Sequence, residues 1–339
     1  MAEILRRQPT LPRRLKIIFS DLDGTLVHFE KYFRPHGVIQ SIDESTGTAV
    51  YRCDDGPSIG RTSTCRLLPT LTMGPGLFSD TSAELISQLR QQGVIFVYVS
   101  GARKSTMLKR LPLLAPADYA VAETGGRMYL TNGSKDPKDA ILDEEWTRRI
   151  ESVCGPIDGD DVIPVEERQG ALWDWCRELT KRGVPCDTRN YTCSFRIDCD
   201  KPLLHNNFST APTETVLNEA IETAMPAEGV TCAQNLGKYD FFPSMSGKGE
   251  AVKYLLQTLG IDRDDAVALF DDENDLPMAN ACGHGCVMRC THESIAARLE
   301  QNPHWHTATE AGVLATEQIL QMLLDNVVAA NQEGALSGK

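Results

Sequence analysis

Asp21 and Asp23 stand one residue apart in LKIIFSDLDGTLVHFEKY (residues 15–32), directly after a run of β-formers and directly before glycine and threonine. A strand built from Ile17, Ile18 and Phe19 buries both faces, so its C-terminal end opens where ligands bind in an open α/β sheet. Carboxylates at alternate positions can point into one pocket, and Gly24 allows a sharp turn behind them. Packed together they repel. A divalent cation, a shared proton or a nearby lysine relieves that repulsion, and each solution is a form of chemistry. The plain structural alternative is an Asx-turn leaving a strand.

A second acidic cluster, FDDENDLPM (270–278), ends the apolar run AVALF and offers Asp271, Asp272 and Asp275 with Asn274. Alone it would suit a helix N-terminus stocked with acids. Two strands of one chain ending this way point instead to a shared site. Two phosphate-sized features lie between the clusters. VYVSGAR (97–103) ends a core strand with Ser100 and Gly101, a hydroxyl and free backbone N–H groups at the start of a helix. MSGKGEAVKYLL (245–256) puts Lys248 between two glycines at another helix start, a cation on a flexible approach.

The elements that must position these residues alternate between short apolar runs and amphipathic helices in the first third and again near the end. That is the pattern of an α/β fold with a Rossmann-like, doubly wound parallel sheet. LKIIFS, VIFVYVS and YAVAE are expected strands, and a helix is expected over 81–91, opened by Thr81-x-x-Glu84 and stopped by Gly93. The connection from His28 to Ser79 is too long to be idle and is expected to form a small flap or hairpin, with AVYRC as one strand. From 132 to 240 the pattern changes to three helical stretches with the alternating strands TCSFRIDCD and GVTCAQN, a mixed α/β unit inserted into the first. The core is therefore assigned to 1–131 and 241–339, the inserted unit to 132–240, and the tail after Val327 reads as frayed.

The 339 residues are 41% hydrophobic, enough for a full core, and the net charge of -13 argues against a nucleic-acid surface. No apolar run approaches the roughly 20 residues that span a bilayer, and MAEILRRQPTLPRRLK lacks a signal-like apolar centre, so a cytoplasmic protein is expected. Eleven cysteines without a CxxC pair suit reduced thiols. Cys282, His284, Cys286, Cys290 and His292 are zinc-ligand types in a short span, but GCVM within it reads as a strand that sends alternate members to opposite faces.

Taken in order, DLDGT, SGAR, GKG and DDEND resemble the four motifs of the haloacid dehalogenase superfamily. The likeness is to its phosphatases with a large inserted α/β cap, the sucrose-phosphatase-like or Cof-type subfamily IIB. It covers most of the chain. The resemblance implies Mg²⁺ and an aspartyl-phosphate intermediate, with Asp21 as nucleophile and Asp23 as general acid and base whose backbone carbonyl also reaches the metal. It implies Ser100, Gly101 and Asn274 around the phosphoryl group, Lys248 offsetting charge, Asp271 completing the metal site and Asp275 in support. Three departures stand out: Phe270 replaces the usual glycine, Ala102 separates Gly101 from Arg103, and the 28–79 segment is long. The expected substrate is a small phosphorylated metabolite, a sugar phosphate foremost. The competing expectations are a phosphotransferase or mutase of the same fold, and a catalytically silent binding or regulatory member. Substrate choice is expected in the inserted unit, where Arg196, Trp173 and Trp175 are candidate contacts, the tryptophans more readily as cap core and Arg196 equally as a solvated strand residue.

Overall fold

A computed structural model describes residues 11, 12, 14–69, 74–156, 163–204, 212–224, 228–235 and 238–337. Its central feature is an eight-stranded sheet in the order Ile141–Leu142, Arg127–Leu130, Tyr119–Ala122, Ile95–Val99, Ile17–Ser20, Ala266–Phe270, His284–Val287, His306–Thr307. The six strands from Tyr119–Ala122 onward run parallel, and the first two add an antiparallel edge.

Ile17–Ser20 lies between Ile95–Val99 and Ala266–Phe270, and all four of its residues are buried. Alternation along these strands splits the core into two layers. Ile17, Phe19, Val97, Ala268 and Phe270 face one way, with Val252 and Leu255 of the helix Lys248–Leu259. Ile18, Phe96, Tyr98, Val267 and Leu269 face the other, with Ile86 and Leu89 of the helix Asp80–Gln91 and Leu320 and Leu323 of the helix Val313–Ser337. Both faces being covered is what allows continuous apolar strands and leaves only their ends open to ligands.

A second, four-stranded antiparallel sheet has the order Cys186–Asp187, Phe195–Asp198, Lys238–Pro243, Val230–Asn235. Helices Glu144–Cys154 and Ala171–Lys181 belong to the same stretch of chain, and Trp173, Trp175, Phe195 and Phe241 form its interior. Both tryptophans are core, with Trp173 Nε1 donating to the Cys154 carbonyl at 2.8 Å. This interior is continuous with the first core layer.

The 28–79 connection is larger than the expected flap: a five-stranded antiparallel sheet ordered His28–Phe29, Gly76–Ser79, Thr62–Leu68, Thr48–Cys53, Gly37–Asp43. Its inward Ala49, Tyr51, Cys53, Cys65 and Leu77 pack on Val313 and Leu314. Buried Glu317 accepts from Ser63 Oγ and Ser79 Oγ at 2.5 Å each and pairs with Arg61 at 3.1 Å. Ser79 also caps the following helix by accepting from the Ser82 amide at 3.2 Å, so that helix opens at Asp80 and the expected Thr81 box is not its start. The segment after Val327 is helical to Ser337, because Ile319 to Val327 anchor the helix on the second core layer and Asn331 reaches Gln92 at 3.0 Å. Cys282 packs in the first core layer and Cys286 in the second, on opposite faces of the sheet. Among the described residues, no helix is long and apolar enough to cross a membrane.

Candidate active site

The parallel strands deliver their terminal residues to one edge. Asp21 follows Ser20 and continues the ladder by donating its amide to the Leu269 carbonyl at 3.0 Å. Gly24 has φ +107°, and a Cβ there would lie 2.6 Å from the Asp271 carboxylate carbon, so the turn behind Asp21 is closed to any side chain. Thr25 Oγ1 donates to Asp271 Oδ1 at 2.9 Å, joining the first acidic cluster to the second. Asp271 directly follows Phe270 at the end of the adjacent strand. Asp275 and half-buried Asn274 lie on the single turn Glu273–Asp275, where the Asp275 carboxylate accepts from the Asp272 amide at 3.4 Å. Lys248 opens its helix, and its ammonium bridges Asp21 Oδ1 at 2.6 Å and Asp275 Oδ1 at 2.5 Å.

Carboxylate oxygens of Asp21, Asp271 and Asp275 lie within 4.8 Å of one another, and all three residues are buried. Burial first, and then the Asp275 charge, raises Asp21 well above the ordinary aspartate range against the pull of Lys248. The same two causes push Asp271 up to about 7, opposed by Thr25 and Arg289, whose guanidinium stands 3.5 Å away. Burial raises Asp275 too, with Lys248 opposing. For Lys248 burial alone would favour the neutral amine, but the Asp21 and Asp275 charges outweigh it and raise its pKa. Three hard oxygen donors whose charge exceeds that of the lysine fit a divalent cation such as Mg²⁺.

Ser100 ends Ile95–Val99 at the same sheet edge, its Oγ accepting from the Ala102 amide at 3.0 Å. Ala102 thus closes a tight turn on the serine. Gly101 lies beneath the second sheet: a Cβ there would sit 3.7 Å from Asp240 and 3.9 Å from Arg196. Arg196 is not a solvated strand residue, since it forms a two-pronged pair with Asp240 at 2.5 and 2.7 Å. Phe270 is fully buried and meets Trp305 edge-on at 5.5 Å, which is why a large residue is accommodated before Asp271.

Asp23 differs from its neighbour. Its carboxylate turns to Arg110, whose Nη1 donates at 2.8 Å, and the triad of close carboxylates is Asp21, Asp271 and Asp275. No local sequence signal joins residues 23 and 110; the pairing exists only once adjacent strands bring the two helix and turn segments together. Sequence reasoning also missed the seam to the inserted unit. Arg103 reaches Asp187 and the Arg189 carbonyl at 2.7 Å each and lies over the Tyr191 ring at 4.6 Å. Buried Glu123, at φ +53°, accepts from the Thr192 and Cys193 amides at 2.8 Å each. A buried glutamate at the end of YAVAE is the only hint the sequence carries of that contact.

Residues 201–314, about a third of the chain, match the family model of haloacid dehalogenase-like hydrolases. Over this segment the chain is similar to that family, and its fold is that of the solved structures named next. Among solved structures similar to this chain is the sucrose-phosphatase of Synechocystis sp. PCC6803 in complex with sucrose and phosphate: TM-score 0.53 and 16% identity, covering 92% of this chain and 98% of that one. Another is a sugar phosphatase of HAD subclass IIB, with TM-score 0.52, 12% identity and coverage of 91% and 98%. A protein from Streptococcus pyogenes serotype M6, provisionally described as a phosphatase, is 24% identical over 243 residues, 65% of this chain and 83% of its own. The sheet that carries Asp21, Ser100 and Asp271 thus belongs to the fold this chain shares with these two solved structures.

Proposed function

We propose that this protein is a Mg²⁺-dependent phosphomonoesterase that works through an aspartyl phosphate on a small phosphorylated metabolite, with sugar phosphates as the leading class. The observation that carries the proposal is the Lys248 bridge between Asp21 and Asp275 beside Asp271 at the strand ends. An anionic nucleophile can approach a phosphate ester only where positive charge offsets the repulsion. The sugar-phosphatase descriptions of two structural neighbours support the substrate class.

In this mechanism an Asp21 carboxylate oxygen attacks phosphorus as the bond to the ester oxygen breaks. Asp23 gives its proton to the leaving oxygen. Now a carboxylate, Asp23 takes a proton from water, whose oxygen attacks phosphorus; the Asp21–phosphorus bond breaks, returning the free carboxylate and inorganic phosphate. Ser100, Gly101 and Asn274 orient the phosphoryl oxygens, and Lys248, held by Asp275, offsets charge on Asp21 and on the transferring group. Asp21 and Asp271, with the Asp23 carbonyl and Asp275 in support, would hold Mg²⁺, which neutralises phosphoryl charge when bound. The inserted unit, taken as 132–240, would supply contacts to the leaving group.

Phosphate release from a panel of phosphorylated metabolites, with Mg²⁺ and with chelator, tests this directly. Turnover that depends on Mg²⁺ and favours sugar phosphates is expected; turnover unchanged by chelation would overturn the metal assignment.

A further inference from the structure

Arg110 is the last residue of the helix Lys104–Arg110 that follows the SGAR turn, and its side chain is 3% exposed. A guanidinium taken out of water costs several kcal/mol unless it is well paired. Its Nη1 donates to Asp23 Oδ1 at 2.8 Å, while its buried Nε has no hydrogen-bond partner among the described residues. The fold thus keeps a charged group in an incompletely satisfied place, on a helix whose Met107 and following Leu111 pack in the second core layer, with its charge directed at Asp23. The Asp23 side chain is 25% exposed, so one oxygen is held from the buried side while the carboxylate stays accessible.

We infer that Arg110 is the positioning residue for Asp23, holding one carboxylate oxygen so that the other meets the ester oxygen that leaves. Burial keeps Arg110 itself away from any substrate entering from solvent, so it acts only through Asp23. Lys248 does the corresponding work for Asp21, but from within the reacting cluster. The inference rests on the phosphatase reading, in which Asp23 protonates the leaving group. In that step the phosphorus–oxygen bond breaks and the proton passes from the Asp23 carboxyl to the departing oxygen, with no other reactant required.

A leaving group that departs readily as an anion does not need the proton, and a poor one does. Turnover of p-nitrophenyl phosphate and of unsubstituted phenyl phosphate by the Mg²⁺-loaded full chain therefore separates positioning from general damage. Arg110→Met should lose about 100-fold in kcat/KM on phenyl phosphate and no more than about 3-fold on p-nitrophenyl phosphate, within the usual range of general acid catalysis. Arg110→Lys, which keeps the charge at a shorter reach, should recover part of the loss. If Arg110→Met does not fold, the lysine variant carries the test alone through the same ratio. Equal losses on both esters, or no loss on either, would remove the positioning role. A wild-type protein inactive on both esters would instead remove the phosphatase reading on which the role depends.

Discussion

The strand-end cluster and the seam to the inserted unit are both built from charged residues withdrawn from water, yet they treat charge in opposite ways. At the seam each charge is matched: Arg103 with Asp187, Arg196 with Asp240, and Glu123 with two backbone amides. At the strand ends Asp21, Asp271 and Asp275 crowd around Lys248, with Arg289 no nearer than 3.5 Å to Asp271. Matched charges fix a shape, whereas an excess of one sign in a buried site is costly unless a cation or a reacting group completes it. The seam therefore reads as architecture and the cluster as chemistry.

If so, the largest effects of substitution belong to the cluster. Asp21→Asn should lower turnover by at least about 10⁴-fold, since an amide cannot act as the anionic nucleophile. The folded state should survive, so circular dichroism and activity on p-nitrophenyl phosphate together decide the matter. Wild-type-like activity in a folded variant would dissolve the contrast between the two regions. Lys248→Met comes next, with a loss of about 10³-fold, because it removes positive charge where the transition state gathers negative charge. Single-turnover measurements should place that loss in the chemical step.

The cluster should also leave a mark on stability. Burial, then Asp275, holds folded Asp271 at about 7, against 3.8 as its ordinary value. Between those values the folded chain keeps a proton that the unfolded chain has released, so this group's contribution falls as pH rises through about 7. His28 acts in the other direction: burial, then Arg289, pushes its imidazole down to about 3, so in acid the unfolded chain binds the extra proton. Comparing metal-free wild type with Asp271→Asn cancels the histidine. The Tm advantage of the asparagine variant should widen from about pH 5 to about pH 7, and Mg²⁺ should narrow it by stabilising the wild type. A difference independent of pH would mean that Asp271 carries no excess charge.

What the sequence disclosed follows the same division. The doubly wound sheet was legible because each strand buries both faces and reads as an unbroken apolar run, and Asp21, Ser100, Lys248 and Asp271 were legible because each directly follows such a run or opens a helix. The Asp23–Arg110 pair was hidden because contacts between distant loops leave no periodic trace. The 28–79 sheet was under-read for a related reason: Thr62–Leu68 is half polar, and Glu317, which holds it through Ser63 and Ser79, lies 238 residues beyond Ser79. The last helix looked frayed because its exposed final turns, through Asn331 and Gln332, resemble tail composition, whereas the anchoring contacts occur earlier in it.

The smallest expected effect lies at the seam and tests whether matched charge is only architecture. Arg103 comes from the second-motif loop, two residues after Gly101, but its side chain is spent on Asp187, the Arg189 carbonyl and the Tyr191 ring. Arg103→Leu would leave Asp187 still paired with Arg189 at 3.0 Å, so no carboxylate is stranded and the stability cost should stay near 1 kcal/mol. The loop that carries Ser100 would keep its own bond to the Ala102 amide. Turnover of p-nitrophenyl phosphate, which asks little of the inserted unit, should therefore change by no more than about 2-fold, while KM for whichever phosphorylated metabolite is turned over best should rise about 5- to 10-fold as the unit loses its hold on the loop. An equal change for both substrates would mean that Arg103 acts on the phosphoryl group itself, and the line drawn here between seam and cluster would have to move to include it.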